Sequence, residues 1–148
     1  MELGVLSDEH FMKEALKEAN KAFKRDEIPV GVVIVSKQRI IARAHNMTET
    51  LNDVTAHAEM QAITSAADFI GGKYLKGCTV YVSLEPCVMC AGALFWSQCD
   101  RVVFGAHDEK RGFSTAGKLL HPKTKVKGGV MENDCADLLR LFFKKKRK

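Results

Sequence analysis

The sequence predicts an α/β fold, a three-layer α/β/α sandwich around a mixed sheet of about five strands. Three observations carry that expectation. Val30-Gly31-Val32-Val33-Ile34-Val35 is a β-branched run with the look of a buried strand. Strand, helix and strand patterns follow closely between Cys78 and Phe104, which implies a right-handed parallel crossover. Apolar residues recur at helical spacing near both ends of the chain and between the strands, so helices are available to cover both faces of the sheet.

In chain order, Ser7 to Asp26 reads as an amphipathic helix, capped by Ser7 or Asp8, with Phe11, Ala15, Ala19 and Phe23 on one face. Ile28-Pro29 breaks it. The strand from Val30 to Val35 turns at the polar Ser36-Lys37-Gln38-Arg39 into a second strand, Ile40 to His45, as a hairpin. After a polar connection from Asn46 to Thr55, a helix capped by Thr55 carries Met60, Ile63, Ala67 and Ile70, with His57 and Glu59 in its first turn, and Gly71-Gly72 ends it. Cys78 to Ser83 is the next strand and Leu84-Glu85-Pro86 a turn. Cys87 to Ser97 follows as a helix apolar nearly all round, which marks it as buried and Trp96 as a core residue. Gly92 inside it points to close packing against a strand or a second subunit. Arg101 to Phe104 is another strand, Gly105 to Lys127 the least regular stretch, Gly129-Val130-Met131 a short strand, and a last helix starts near Glu132.

The chain has 148 residues, 46% of them hydrophobic, and few prolines, which suits one compact domain spanning 1–148. No apolar run approaches the roughly 18 residues that a membrane helix needs, and Met1 to Ser7 is too short and without the positive charge of a secretion signal. Five cysteines, an odd count with two at metal spacing, favour a reducing compartment, so the expected location is cytoplasmic. Of the 23 basic residues, five close the chain as Lys144-Lys145-Lys146-Arg147-Lys148, leaving 18 against 18 acidic ones. The net charge of +5 is therefore a tail, not a coated surface. That tail either reaches phosphates or complements the dipole of the last helix.

The chemistry lies between Thr55 and Cys90. His57-Ala58-Glu59 opens one predicted helix, and Pro86-Cys87-Val88-Met89-Cys90 opens another. Cys87 and Cys90 project from one side of a first helical turn, where free N–H groups favour the thiolate. Two thiolates and an imidazole suit zinc, and three protein ligands leave a fourth position for water, the arrangement of a catalytic site. Glu59 can then reach that water without ligating the metal. The alternatives are a redox Cys-x-x-Cys pair, a closed structural zinc with Cys78, Cys99 or Cys135 as fourth ligand, and a chance His-x-Glu. The two halves together are far more specific than either alone.

At these residues the sequence resembles the zinc-dependent nucleobase deaminases of the cytidine deaminase-like superfamily, whose signature and mechanism are known rather than read from the spacing. The resemblance is closest to the bacterial tRNA-specific adenosine deaminase family. It runs over Glu27-Ile28-Pro29-Val30-Gly31, Asp53 to Glu59, Leu84 to Ala93 and Arg101 to Ala106. It implies one zinc per chain on His57, Cys87 and Cys90, a bound water acidified to a pKa near 7, and Glu59 as the proton shuttle. It implies that wobble adenosine in a tRNA anticodon loop becomes inosine, and that the enzyme is a homodimer. Asn46 matches an Asn that hydrogen-bonds the flipped-out base, and Asp108 and Lys110 match a loop that contacts the anticodon RNA. The chain departs from the family in a shorter Phe113 to Val130 segment, in Lys123-Thr124-Lys125-Val126-Lys127, and in Leu94-Phe95-Trp96-Ser97, which is closer to guanine deaminases. Two further readings stay open, a free-base or nucleoside deaminase and a non-catalytic zinc-binding module.

Overall fold

A computed structural model of the chain describes residues 6–147. Ser7 caps the first helix, α1 (Asp8–Lys24), its hydroxyl accepting the His10 N–H at 3.1 Å. The hairpin follows as β1 (Gly31–Ser36) and β2 (Arg39–His45), paired antiparallel from Gly31 with His45 to Ser36 with Arg39. Its two-residue turn places Lys37 and Gln38 at φ 51° and 66°. Both lie in the left-handed region that a tight hairpin requires, although neither is glycine.

Next come α2 (Ala58–Ile70), β3 (Cys78–Leu84), α3 (Val88–Ser97), β4 (Arg101–Ala106), a short 3-10 turn at Phe113–Ala116, β5 (Lys125–Lys127) and α4 (Glu132–Lys146). The sheet order is β2-β1-β3-β4-β5. β3 pairs antiparallel with β1 and parallel with β4, and β5 adds parallel to β4, so the five-stranded sheet is mixed as expected.

Alternation along the strands sorts the core into two layers. Val32, Ile34, Val80, Val82 and Val102 pack with Ala58, Ala62 and Ala66 of α2 and with Ala91 and Leu94 of α3. Val33, Val35, Tyr81 and Val103 pack on the other face with Phe11, Met12 and Ala15 of α1 and with Cys135 of α4. The sandwich therefore has α1 and α4 on one side and α2 and α3 on the other. Gly31 is where α1 lies closest to the sheet: a Cβ there would come within 2.0 Å of Ala15 O.

Three expectations are corrected. The last strand is Lys125–Lys127, not Gly129-Val130-Met131, because Gly129 (φ 83°) and Met131 (φ 56°) take left-handed conformations that a strand cannot contain. Val130 is buried as a plug, its N–H bonded to Phe104 O, whereas Lys125, Val126 and Lys127 are exposed on an edge strand guarded by lysine. The α3 helix is not buried all round: Cys90, Ala91, Leu94 and Ser97 are covered, but Val88 and Met89 are exposed. Trp96 is not core, being 74% exposed, and among the described residues nothing lies within 4 Å of a Cβ placed on Gly92, so no described strand packs there.

Candidate active site

Two helix starts meet at one point. His57 is the N-cap of α2 and Cys87 the N-cap of α3, both extended in backbone, and neither side chain is spent on a capping hydrogen bond. Thr55 is not the cap expected from sequence. Its N–H and hydroxyl both bind Asp53 Oδ1, at 2.8 and 2.7 Å, in a local turn that precedes the helix. Freed from capping, the His57 ring faces the cysteines: Nδ1 lies 3.7 Å from Cys87 Sγ and 3.4 Å from Cys90 Sγ.

The ligand atoms of these three residues all fall within 4.8 Å of one another, and they are the one such group among the described residues. Zinc bonded tetrahedrally to sulfur at about 2.3 Å and nitrogen at about 2.05 Å would hold S and N roughly 3.6 Å apart. The observed pairs bracket that spacing, so the donor set fits zinc without rearrangement. Cys78, Cys99 and Cys135 are buried elsewhere and do not join the group, which leaves three protein ligands and removes the closed four-ligand alternative.

The electrostatics follow from burial and the helix starts. The Cys87 thiol is held down to about 5 by the hydrogen bond Cys90 offers its sulfur, with the Cys90 and Met89 N–H groups adding to the effect. Cys90, donating that bond and buried beneath it, is pushed upward. Glu59, only 4% exposed in the first turn of α2, has its carboxyl pushed up to about 7 by burial. Its side chain shares the lining of one cavity with His57 and Cys87.

A cavity of about 740 Å³ opens over this point. His57, Cys87 and Glu59 line its floor, Asn46 and Thr48 one wall, and Asp108 to Arg111 the other. Cys90 lies beneath the floor, fully buried. The first wall hangs on Glu27, fully buried, which accepts Glu49 N–H at 3.1 Å and both the N–H and the hydroxyl of Thr50 at 2.6 Å. Burial alone would raise the Glu27 carboxyl, yet these bonds hold it below the ordinary carboxylate range. Asn46, 6% exposed, is fixed by its N–H to Val30 O at 3.1 Å. On the second wall Asp108 Oδ1 accepts the Lys110 and Arg111 N–H groups at 3.1 and 3.0 Å, so its carboxylate shapes the loop that carries it.

Residues 6–106 match the cytidine and deoxycytidylate deaminase zinc-binding region. A tRNA-specific adenosine deaminase of Bacillus subtilis (strain 168) is 48% identical over 147 residues, 95% of this chain and 91% of its own. The chain belongs to the tRNA-specific adenosine deaminase family. A relative of the same name from Agrobacterium fabrum is 44% identical, with 93% of this chain and 95% of its own covered. A solved structure from work on A-to-I editing by tRNA:A34 deaminases superposes at a TM-score of 0.81 with 42% identity, covering 88% of this chain and 99% of that one.

For this deaminase-family chain, zinc is the cofactor, and His57, Cys87 and Cys90 are the described residues that could hold it. Sequence reasoning missed the roof of the cavity, where Ala136, Leu139, Arg140 and Phe143 of α4 come in. The spacing of Ala136, Leu139 and Phe143 is that of any core-facing helix, and only the tertiary fold brings them to the site. It also missed what Glu27 and Glu85 do: both lie in motifs that carry the resemblance, but nothing in the sequence shows that their carboxylates are buried and hold the walls. The basic end is the last turn of α4, not a loose tail. Lys145 stacks 5.5 Å from the Phe23 ring centroid, Lys146 pairs with Asp26, and the lysines complement the helix dipole. Lys148 lies outside the described residues.

Proposed function

We propose that this chain, as one domain over 1–148, converts adenosine to inosine at the wobble position of tRNA by hydrolysis. The observation that carries the reading is a buried carboxyl, Glu59, beside three zinc-competent donors on the floor of a cavity large enough for a nucleoside. A carboxyl placed there can accept and release a proton at the reacting atoms.

His57, Cys87 and Cys90 would hold zinc, which when bound acidifies a water and polarises it for attack. Glu59 takes the proton of the attacking water and gives it to N1 of adenine as C6 is attacked. It then carries a second proton, from the hydroxyl now on C6, to the amino group, which departs as ammonia and leaves the C6 carbonyl of hypoxanthine. The Asn46 amide offers donor and acceptor together to the base edge; among the described residues its Oδ1 accepts one long 3.4 Å bond, from Thr48 N–H. Asp108 and Lys110 present the loop that meets the anticodon RNA. Phe95 and Trp96, on the segment closer to guanine deaminases, are absent from the cavity lining, so base choice is left to Asn46 and the two walls.

The exposed apolar face of α3, with Val88, Met89 and Trp96 around an open Gly92, supports a homodimer packed through that helix. The proposed tRNA substrate supports a cytoplasmic location. Among the described residues no helix is long and apolar enough to cross a membrane.

The test is nucleoside mass spectrometry after incubation with an anticodon stem-loop and, separately, with free adenosine, guanine and cytosine. Inosine from the RNA alone is expected. Turnover of a free base with untouched RNA would replace this reading with the free-base one, and no turnover of any substrate would leave the zinc-binding module.

A further inference from the structure

Glu85 stands two residues before Cys87 and is 3% exposed. Its backbone N–H bonds to Ala106 O of β4 at 2.8 Å, while its side chain turns to the loop beyond. Oε1 accepts the Asp108 N–H at 3.0 Å, and Oε2 accepts the Ser114 N–H at 3.1 Å and the Ser114 hydroxyl at 2.6 Å. Between those ends the loop lies flat on the carboxylate, for a Cβ on Gly112 would come within 2.3 Å of Glu85 Cδ. The backbone seals the same joint: Phe113 N–H bonds to Pro86 O at 2.9 Å, and Gly112 bridges Cys87.

Three donors from both ends of the 108–114 loop thus converge on one carboxylate. An ionised carboxylate can accept all three, whereas an amide of the same shape would turn an NH₂ toward an N–H. Asp108 then ties Lys110 and Arg111, so this whole wall of the cavity hangs from Glu85.

We propose that Glu85 is a positioning residue that fastens the 108–114 loop to the Cys87 turn and thereby sets the grip of that loop on RNA flanking the reacting adenosine. The RNA part rests on the function proposed above. The effect falls on binding rather than on the chemical step, because His57, Glu59, Cys87 and Cys90 stand on the starts of α2 and α3, whose helical bonds do not use the Glu85 side chain.

The experiment compares Glu85→Gln and Ser114→Ala with the wild type, zinc-loaded, by KM and kcat on an anticodon stem-loop and by amide hydrogen exchange without RNA. Loss of one charge-assisted bond should raise KM for Glu85→Gln about tenfold or more, with kcat within about twofold. Ser114→Ala should move KM the same way by less. Exchange at Asp108 and Ser114 should quicken in Glu85→Gln. A merely structural role would lower the active fraction, and so kcat, with KM unmoved. That result, or unchanged protection of the loop, would overturn the proposal. If Glu85→Gln does not fold, the KM and exchange of Ser114→Ala decide. If the wild type leaves the RNA untouched, the proposed substrate is wrong, and the exchange measurement alone still decides whether Glu85 fastens the loop.

Discussion

His57 Nδ1 lies 3.4 Å from Cys90 Sγ across 33 residues of sequence, a contact closed by the starts of two helices on one face of the sheet. With Cys87 completing the set, removal of any one of the three leaves too few donors for a catalytic zinc site. Cys87→Ala should drop zinc well below one per chain after dialysis, as read by atomic absorption, and deamination should fall with it. Stoichiometric zinc in that variant would mean that the metal sits elsewhere.

Glu59 should separate metal binding from chemistry. Glu59→Ala should retain one zinc per chain and lose about 10²–10⁴-fold in turnover, the usual worth of a placed acid and base. Metal loss in this variant would make Glu59 a ligand and not a proton carrier.

An acid-sensitive tie joins α1 to β2. Hydrogen bonds from Lys17 at 2.7 Å and Arg43 at 2.6 Å hold the Glu14 carboxyl down to about 2, from an ordinary 4.5. A depressed carboxylate stabilises the fold fully above pH about 4.5 and loses that contribution as the pH falls toward 2. The pair faces solvent, so the effect is small. Melting curves of Glu14→Gln and wild type should differ at pH 7 and converge as the pH approaches 2; a gap that stays constant would exclude the charge as its source.

Two glycines should respond oppositely to alanine. At Gly31 the new Cβ meets Ala15 O at 2.0 Å and Ala19 N at 2.4 Å, backbone atoms that cannot step aside, and the cost should reach about 3 kcal/mol in denaturant titration. At Gly92 nothing among the described residues lies within 4 Å, so alanine should add about 1 kcal/mol of helix propensity to the protomer. If α3 is the dimer face, the same methyl should weaken self-association in analytical ultracentrifugation. A self-association unchanged by Gly92→Ala would move the interface elsewhere.

The first four strands and the starts of α1 and α3 were legible because their signals are local: β-branched runs, a serine cap, and a proline ahead of Cys87. The α2 start, by contrast, fell at His57 and not at Thr55, which binds Asp53. His57 and Glu59 could still be placed by local signals. Trp96 could not, since an apolar helix side reads alike whether it meets the core or another molecule. The edge strand at Lys125–Lys127 hid because three exposed residues carry no hydrophobic alternation, while the apolar Val130 beside it mimicked a strand. The α4 roof and the two wall-holding carboxylates depend on contacts between distant segments, such as Glu85 with Ser114 at |i−j| = 29, which no local pattern encodes.

The most direct measurement is position-resolved sequencing of a tRNA anticodon stem-loop after incubation with the zinc-loaded protein, with Glu59→Ala as control. Inosine confined to the wobble position, present with wild type and absent with Glu59→Ala, is the predicted result. Unmodified RNA beside a wild-type protein that releases ammonia from free guanine or cytosine would contradict the account.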